Sequence, residues 1–225
     1  MSNRIAMLER IPVGPIHIEG MLEMPANAKS IVLFAHGSGS SRHSKRNIYV
    51  ARVLQNSGVG TLMMDLLTPE EGANYPSRFD IPLLAHRLLA ATSWIKTGQQ
   101  TKHLPVGYFG ANIGAAAALQ AAAALDGEIG AVVSRGGRPD MAGISALEKV
   151  KSPTLLLVGS WDDEVLTLNR DACNNLRCVK ELVVIPGATH LFTEPGTLEE
   201  AARQAAAWFC RYLKLPQGSE IKHSN

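Results

Sequence analysis

The chain lacks any uncharged apolar run approaching the ~18 residues that a membrane-spanning helix needs. Its first ten residues include Arg4, Glu9 and Arg10, so they also lack the apolar centre of a secretory signal. The chain also lacks a large excess of either charge: it has 22 Lys and Arg and 20 Asp and Glu, which gives a net charge of +2. We therefore expect a cytoplasmic protein that acts on a small molecule, without nucleic acid or membrane as partners. These properties leave the oligomeric state open.

Cysteine is scarce and lacks the spacing of a metal or disulfide framework. The three cysteines, Cys173, Cys178 and Cys210, form no CxxC or Cys/His motif. An odd number of such residues favours reduced, buried thiols over a disulfide or a zinc site. No acidic cluster has metal-ligand spacing either, so we expect neither a metal nor an organic cofactor.

Short apolar runs alternate with amphipathic stretches along most of the chain. This alternation predicts an α/β fold: a mostly parallel sheet with helices on both faces, after an antiparallel opening hairpin. A length of 225 residues suits a single domain, residues 1–225. The polar stretch 68–77 is interpreted as a loop. The expected strands are 5–13, 16–24, 31–35, 61–66, 106–109, 129–134, 154–158 and 181–185, and the expected helices are 44–57, 80–95, 113–125, 141–150, 165–176 and 197–213.

The stretch from Leu104 to Leu125 predicts a strand, a sharp turn and a helix of small residues. Its turn, Gly110-Ala111-Asn112-Ile113-Gly114, has the frame of the nucleophile elbow G-x-S-x-G, in which a strained central residue projects above the sheet edge. Asn112 stands where an acyl-transfer enzyme has serine. A carboxamide neither ionises near neutral pH nor acts as an ordinary nucleophile.

Polar residues follow several of the expected strands, where an open α/β sheet binds its ligands. His36 and a Gly/Ser loop follow the strand 31–35, and Asn112 follows the central strand. Asp162 and Asp163 follow 154–158, and His190 follows 181–185. Nucleophile position, acid and histidine thus occur in the chain order of α/β-hydrolases.

The sequence resembles the dienelactone hydrolase family of α/β-hydrolases, most closely a small bacterial branch that is sometimes fused to phosphoribosyltransferases. The resemblance covers nearly the whole chain. It implies the α/β-hydrolase fold with eight strands and no cap domain, and hydrolysis of a small carboxylic ester or lactone. The residues that carry it are FAHGSGSSRHSKRN (34–47), MDLLTPEE (64–71), FDIPLLAHRLLAAT (79–92), GYFGANIGAAAAL (107–119), VVSRGGRPD (132–140) and HLFTEPGTLE (190–199).

The resemblance also implies catalytic roles. His190 matches the general base, and Asp162 matches the carboxylate that orients its imidazole. Asp163 is the rival carboxylate, but the family's spacing of glycine, two residues and aspartate selects Asp162. The oxyanion hole would consist of two backbone N–H groups, one from Ile113 and one from the loop at Ser38.

Asn112 departs from the family, which has serine or cysteine at the nucleophile position. One explanation is an engineered, inactivating substitution, and a second is natural divergence to a binding protein or pseudoenzyme. A third is that Asn112 and His190 hold a water for direct attack without a covalent intermediate. Deamidation to a nucleophilic aspartate is disfavoured by the bulky Ile113. The serines that might replace the nucleophile, Ser38, Ser40, Ser41 and Ser134, are better interpreted as turn residues and backbone donors.

Two residues near the expected site are candidates for substrate binding. Trp161 precedes Asp162 and would line an apolar pocket or pack in the core. Arg135, with Arg138, would hold a substrate carboxylate through a guanidinium fork, or pair structurally with Asp140 or Asp65.

A basic cluster opens the first long helix: Arg42, His43, Lys45 and Arg46. Cations oppose the partial positive charge of a helix N-terminus. The cluster is therefore either a solvated surface patch or a recognition site for an anionic substrate. His36 is expected to organise its own loop through hydrogen bonds.

Overall fold

The computed structural model describes residues 4–36 and 41–214. The strands in this part of the chain are β1 (Arg4–Val13), β2 (Ile16–Pro25), β3 (Ser30–Ala35), β4 (Val59–Met64), β5 (Val106–Ala111), β6 (Ile129–Arg135), β7 (Thr154–Gly159) and β8 (Lys180–Ile185). The helices are α1 (Lys45–Asn56), α2 (Pro69–Ala73), α3 (Ile81–Thr97), α4 (Ile113–Ala124), α5 (Ile144–Lys149), α6 (Asp163–Asn175) and α7 (Thr197–Tyr212), with 3-10 turns at Pro76–Phe79 and Pro139–Ala142. No described helix is long and apolar enough to cross a bilayer.

The eight strands form one sheet in the order β1-β2-β4-β3-β5-β6-β7-β8. The β1–β2 hairpin is antiparallel, and β2 also pairs antiparallel with β4. All pairs from β4 onward to β8 are parallel, so the carboxyl ends of these strands lie at one edge. The predicted α/β class and mostly parallel sheet are confirmed, and the short connection from β6 to α5 contains no cap domain.

Alternate side chains of each central strand enter two different cores. In β3, Ile31 and Leu33 pack in the core beneath α3, α4 and α5, whereas Val32 and Phe34 pack in the core beneath α1 and α7. This alternation follows from the two-residue period of a strand. It places helices on both faces of the sheet, as predicted.

Strand β6 contains one extra residue opposite β5. Val106 pairs with Ile129, but the next residue, Gly107, pairs with Ala131, which leaves Gly130 without a partner. Above this bulge the strands run in register up to Ala111, which pairs with Arg135.

The segment 68–77 was predicted to be a loop, and this prediction was wrong. It contains α2, which begins with a capping box at Thr68. The Thr68 hydroxyl accepts a hydrogen bond from the Glu71 backbone at 3.2 Å, and the Glu71 carboxylate accepts one from the Thr68 backbone at 2.9 Å. These reciprocal bonds satisfy backbone donors that a short helix would otherwise leave free. The strand predicted at 61–66 runs instead from Val59 to Met64.

The three thiols are free, as predicted, but the prediction that they are buried was wrong. Cys173 and Cys178 are half-buried, and Cys210 is exposed on α7. Burial raises the pKa of the Cys178 thiol.

Asp65, directly after β4, fastens both described ends of the connection from β3 to α1. One carboxylate oxygen accepts the Arg42 backbone N–H at 2.7 Å and lies 3.3 Å from Nε2 of His36. The other oxygen pairs with the Arg42 guanidinium, which also binds Glu19. Burial alone would raise the pKa of Asp65, but its bonds with His36 and Arg42 outweigh burial and lower it. His36 thus bonds to Asp65, whereas residues 37–40 of its own loop lie outside the described residues, so its role in organising that loop stays a prediction.

The turn between β5 and α4 packs directly against the end of β3. A Cβ atom on Gly114 would lie 2.2 Å from the carbonyl oxygen of Ala35 and 2.9 Å from the backbone nitrogen of His36. A Cβ atom on Gly110 would lie 2.4 Å from Cα of Ala115. Both positions therefore require glycine, because backbone atoms cannot move aside as a flexible side chain can.

Replacing Asp65 with Asn should lower the free energy of unfolding by about 1–3 kcal/mol at pH 7, because an amide oxygen binds a cation less strongly than a carboxylate does. The folded-state pKa lies below the ordinary 3.8. The stabilisation is therefore present above about pH 4 and is lost as the pH falls through the folded-state pKa. Urea unfolding at several pH values measures the difference. Glu19→Gln is the control, and its more exposed pair should be worth under about 1 kcal/mol at every pH. A pH-independent difference for Asp65→Asn would contradict the assignment.

Replacing Gly114 with Ala should destabilise the fold by about 2–3 kcal/mol, because the new methyl group meets the Ala35 backbone. Gly72→Ala in α2 is the matched control, since nothing lies within 4 Å of its Cβ position. That variant should stay within about 1 kcal/mol of the unchanged chain. Thermal unfolding compares the three proteins, and equal stability of the two variants would refute the close contact.

Candidate active site

Asn112 occupies the tip of the turn between β5 and α4. Its φ of 54° and ψ of −130° lie outside the regions that non-glycine residues ordinarily adopt. The side chain is exposed, and it has no hydrogen-bond partner among the described residues. The backbone carbonyl of Asn112 accepts a bond from the Arg138 N–H at 3.0 Å. The turn therefore presents residue 112 clear of the sheet edge, in the conformation expected of an elbow.

His190 and Asp162 meet at the same edge of the sheet. Nδ1 of His190 donates a hydrogen bond to Oδ2 of Asp162 over 2.8 Å. The Asp162 side chain is 14% exposed and that of His190 is 35% exposed. Asp163, the first residue of α6, is exposed and makes no contact of this kind with His190. Nε2 of His190 has no partner in the described part of the chain, so it is available to a ligand.

The loop after β6 touches both the histidine loop and the elbow. A Cβ atom on Gly136 would lie 2.9 Å from the His190 carbonyl oxygen and 3.8 Å from Cε1 of its ring. Two residues later, Arg138 donates to the carbonyl of Asn112. The loop at residues 136–138 thus contacts both the loop of His190 and the turn at Asn112. The loops that carry Asn112, Asp162 and His190 therefore lie at the same edge of the sheet.

Glu194 fastens the histidine loop, a role that the sequence analysis missed. Its carboxylate accepts the Thr189 hydroxyl at 2.7 Å and the Thr189 backbone N–H at 3.0 Å. These bonds lower the pKa of Glu194 to about 2. The signal available in the sequence was the acidic residue that closely follows Thr189 and His190.

The expected oxyanion-hole residues are only partly described. Ile113 is the first residue of α4 and is buried, so its backbone N–H lies at the helix N-terminus beside Asn112. Such an N–H group suits a developing negative charge. Ser38 lies outside the described residues, as does Ser40, so the second donor stays a prediction.

Arg135 is buried directly behind the elbow. Its side chain is 7% exposed and lies between two aromatic rings, with its guanidinium carbon 5.9 Å from the centre of Phe109 and 5.7 Å from that of Phe192. Nη2 donates to Oδ1 of Asn47 at 3.3 Å, and Nη1 is buried with no acceptor among the described residues. Burial, followed by the nearby charge of Arg46, lowers the pKa of Arg135 to about 10.

The alternative that Arg135 forms an ion pair with Asp140 or Asp65 is wrong. Arg138 binds Asp140 through two bonds of 2.9 and 2.8 Å, and Arg42 takes Asp65. The contacts with Asp140 raise the pKa of Arg138. Arg135 is thus left without a carboxylate in the described part of the chain.

Trp161 lies on the turn before Asp162, and 67% of it is exposed. Its backbone N–H donates to the carbonyl of Ala188, which joins the acid and histidine loops. It does not pack in the core, and substrate binding by Trp161 stays a prediction. Ser134 is fully buried, and the Ser41 hydroxyl accepts from the His43 backbone at 3.2 Å. Neither serine contacts His190 in the described part of the chain.

A cavity of about 480 Å³ lies beside the end of β4. Its apolar lining includes Leu66, Leu67 and Leu84, and its polar lining includes His36 and Asp65. Asn112 and His190 do not line it, whereas the lining residue His36 directly follows β3, the strand next to β5.

Comparisons with known proteins agree with this architecture. The profile of the Dienelactone hydrolase family matches residues 18–214. The crystal structure of a dienelactone hydrolase from Anabaena variabilis is 51% identical, covers 94% of this chain and 99% of its own, and superposes with a TM-score of 0.90. Est1E from Butyrivibrio proteoclasticus shares the fold, with 17% identity, coverage of 92% of this chain and 98% of its own, and a TM-score of 0.77.

Two proteins from Mycobacterium tuberculosis strains, provisionally named phosphoribosyl transferases, are 54% identical over 207 residues. The match covers 92% of this chain and 46% of each relative, so the chain spans about half the length of these curated relatives. The predicted family and its α/β-hydrolase fold are confirmed by a profile that extends over most of the chain and by a close relative of known structure. The chain belongs to the dienelactone hydrolase family.

Proposed function

We propose that the chain carries a hydrolase site for a small carboxylic ester or lactone. His190 serves as the base, Asp162 orients it, and Asn112 holds the nucleophile position. The observation that carries the proposal is the 2.8 Å bond from Nδ1 of His190 to Asp162, made at the sheet edge where the strained turn presents residue 112. Membership in a hydrolase family supports the same chemistry.

The bond to Asp162 matters because it fixes the proton on Nδ1 of His190. The other ring nitrogen, Nε2, then has a free electron pair and can accept a proton. With serine at position 112, Nε2 takes the hydroxyl proton while the oxygen attacks the substrate carbonyl. The imidazolium next protonates the leaving alcohol, and a water hydrolyses the acyl-enzyme by the same transfers in reverse order. The Ile113 N–H stabilises the oxyanion.

Asn112 prevents the first of these steps in the chain as it stands. The nitrogen electron pair of a carboxamide is delocalised into its carbonyl, and its protons are not removed near neutral pH. The chain therefore binds substrate beside an oriented base but cannot form an acyl-enzyme through residue 112. A binding protein that uses the same pocket has this property too, so a test of catalysis must distinguish the two.

One observation favours a second candidate mechanism. The exposed Asn112 side chain and Nε2 of His190 both lack protein partners in the described part of the chain. An amide oxygen and an imidazole nitrogen together can hold one water and remove its proton. In this mechanism the water attacks the carbonyl directly, and no covalent intermediate forms.

Replacing Asn112 with Ser should create or raise esterase activity at least about 100-fold on p-nitrophenyl acetate, because the base gains a hydroxyl to deprotonate. Asn112→Ala is the matched control, since it removes the amide without supplying a nucleophile, and it should gain nothing. Release of p-nitrophenolate measures both. A folded serine variant without any gain would sink the esterase proposal and favour the binding protein. Turnover by the unchanged chain that His190→Ala abolishes would instead favour the water mechanism.

The two neighbouring carboxylates should differ sharply in the serine background. Asp162→Asn should lower kcat by about 10³–10⁴-fold, because an amide partner favours the wrong imidazole tautomer. Asp163→Asn is the control and should change kcat less than about threefold, since that side chain does not bind His190. Kinetics on the same ester compare the variants, and equal losses would contradict the assignment of Asp162.

A further inference from the structure

Arg135, which is buried, and Arg46, which is half-buried, have no compensating carboxylate among the described residues. Nη1 of Arg135 and Nε of Arg46 are both buried, and neither has a hydrogen-bond acceptor among the described residues. Arg135 donates to the side chain of Asn47, the residue after Arg46, and the Arg46 charge contributes to the lowered pKa of Arg135. No carboxylate contacts either side chain in the described part of the chain.

The N-terminus of α1 adds a third source of positive potential at this place. The helix spans 12 residues, begins after the N-cap Ser44 and has no acidic residue in its first turn. Arg46 and Asn47 belong to that turn, and Nη2 of Arg135 donates to the Asn47 side chain. The Arg135 guanidinium therefore points at the start of the helix, where an anion is stabilised by the helix dipole.

This arrangement is costly without an anion. Like charges repel more strongly in a low-dielectric environment than in water, and buried donors without acceptors lose their hydration. The rings of Phe109 and Phe192 offset part of that cost, since the face of an aromatic ring attracts a cation. A ligand that carries negative charge and several acceptor oxygens would relieve both the repulsion and the missing hydrogen bonds.

Arg42 shows the contrast within the same molecule. It lines the cavity beside β4, and it is neutralised there by Asp65 and Glu19. Arg42 thus has carboxylate partners within the chain. Arg135 and Arg46 have no carboxylate partner among the described residues. The unpaired cations, rather than the larger cavity, mark the place for an anion.

We propose that Arg135, Arg46 and the first turn of α1 bind the phosphate group of a phosphate monoester. Two guanidinium charges and a helix N-terminus match a dianion better than a singly charged carboxylate, and a phosphate has enough oxygens to accept from all three. The buried fork of Arg135 suits such an acceptor because its donors are fixed in one plane.

The site adjoins the proposed catalytic residues. Arg135 pairs in the sheet with Ala111, which precedes Asn112, and Phe192 follows His190 by two residues. A phosphate held here would belong to the molecule whose ester or lactone lies at residue 112. This role as a substrate subsite rests on the proposed hydrolase function, whereas phosphate binding itself does not.

The test is calorimetric titration of the full chain with inorganic phosphate at pH 7.5 and constant ionic strength. We expect saturable binding that Arg46→Gln weakens at least about tenfold. Arg52→Gln is the matched control, because Arg52 is exposed on the same helix, and it should leave the Kd unchanged. Arg135→Gln should also abolish binding, with circular dichroism to confirm that it folds. Absence of binding to the unchanged chain, or equal loss in the Arg46 and Arg52 variants, would overturn the proposal.

The same titration with other anions tests the preference for a dianion. Phosphate should bind several-fold more weakly at pH 5.5 than at pH 7.5, because it takes up a proton in this range. Sulfate, which stays doubly charged, should bind equally at both pH values. Acetate should bind at least about tenfold more weakly than sulfate, and acetate binding as tight as that of phosphate would overturn the phosphate assignment in favour of a carboxylate site. None of these readouts requires hydrolysis, so a failure of catalysis at residue 112 is recognised separately.

Discussion

The contact between Gly114 and the end of β3 determines where the candidate chemistry takes place. It brings the start of α4 against the Ala35 carbonyl so closely that only a residue without Cβ fits. The chain between β5 and α4 must then turn sharply, and Asn112 takes the strained conformation with positive φ. Asparagine adopts positive φ mainly in the left-handed helical region, so at ψ −130° the backbone of Asn112 is strained as that of a serine would be. The turn is thus preserved although the residue at its tip cannot act as an ordinary nucleophile.

Carboxylates hold the loops around this turn. Asp65 joins the two described ends of the β3–α1 connection, Asp162 holds the His190 ring, and Glu194 closes the histidine loop through Thr189. In each case an acidic side chain accepts bonds from groups that are distant in sequence or lie in another turn. The loops therefore owe their positions to charge-assisted hydrogen bonds as well as to apolar packing. At the resulting site, Nε2 of His190 has no partner in the described part of the chain.

The sequence was sufficient for features that depend on local pattern. The hairpin, the parallel strands and the turn at Asn112 follow from apolar periodicity and glycine spacing, and the family resemblance chose between Asp162 and Asp163. The spacing of Thr68 and Glu71, which indicates a capping box, was also visible in the sequence. The polarity of the segment nevertheless led to its wrong interpretation as a loop. The isolation of Arg135 from every described carboxylate could not be predicted, because it depends on which side chains meet across strands and loops.

The extra residue in β6 has a consequence for the buried arginine. Side chains alternate between the two sheet faces, yet Ile129 packs beneath α3 to α5 while Ala131 packs beneath α1 and α7, because Gly130 shifts the alternation by one. Arg135 lies after the bulge, and its side chain therefore faces Phe109 and α1. Counting alternate residues from Ile129 would place the arginine on the wrong side of the sheet, whereas its pairing with Ala111 fixes the side that faces Phe109 and α1. A homologue that lacks Gly130 would keep the arginine on its present side, because Ile129 and Ala131 already pair with consecutive residues of β5.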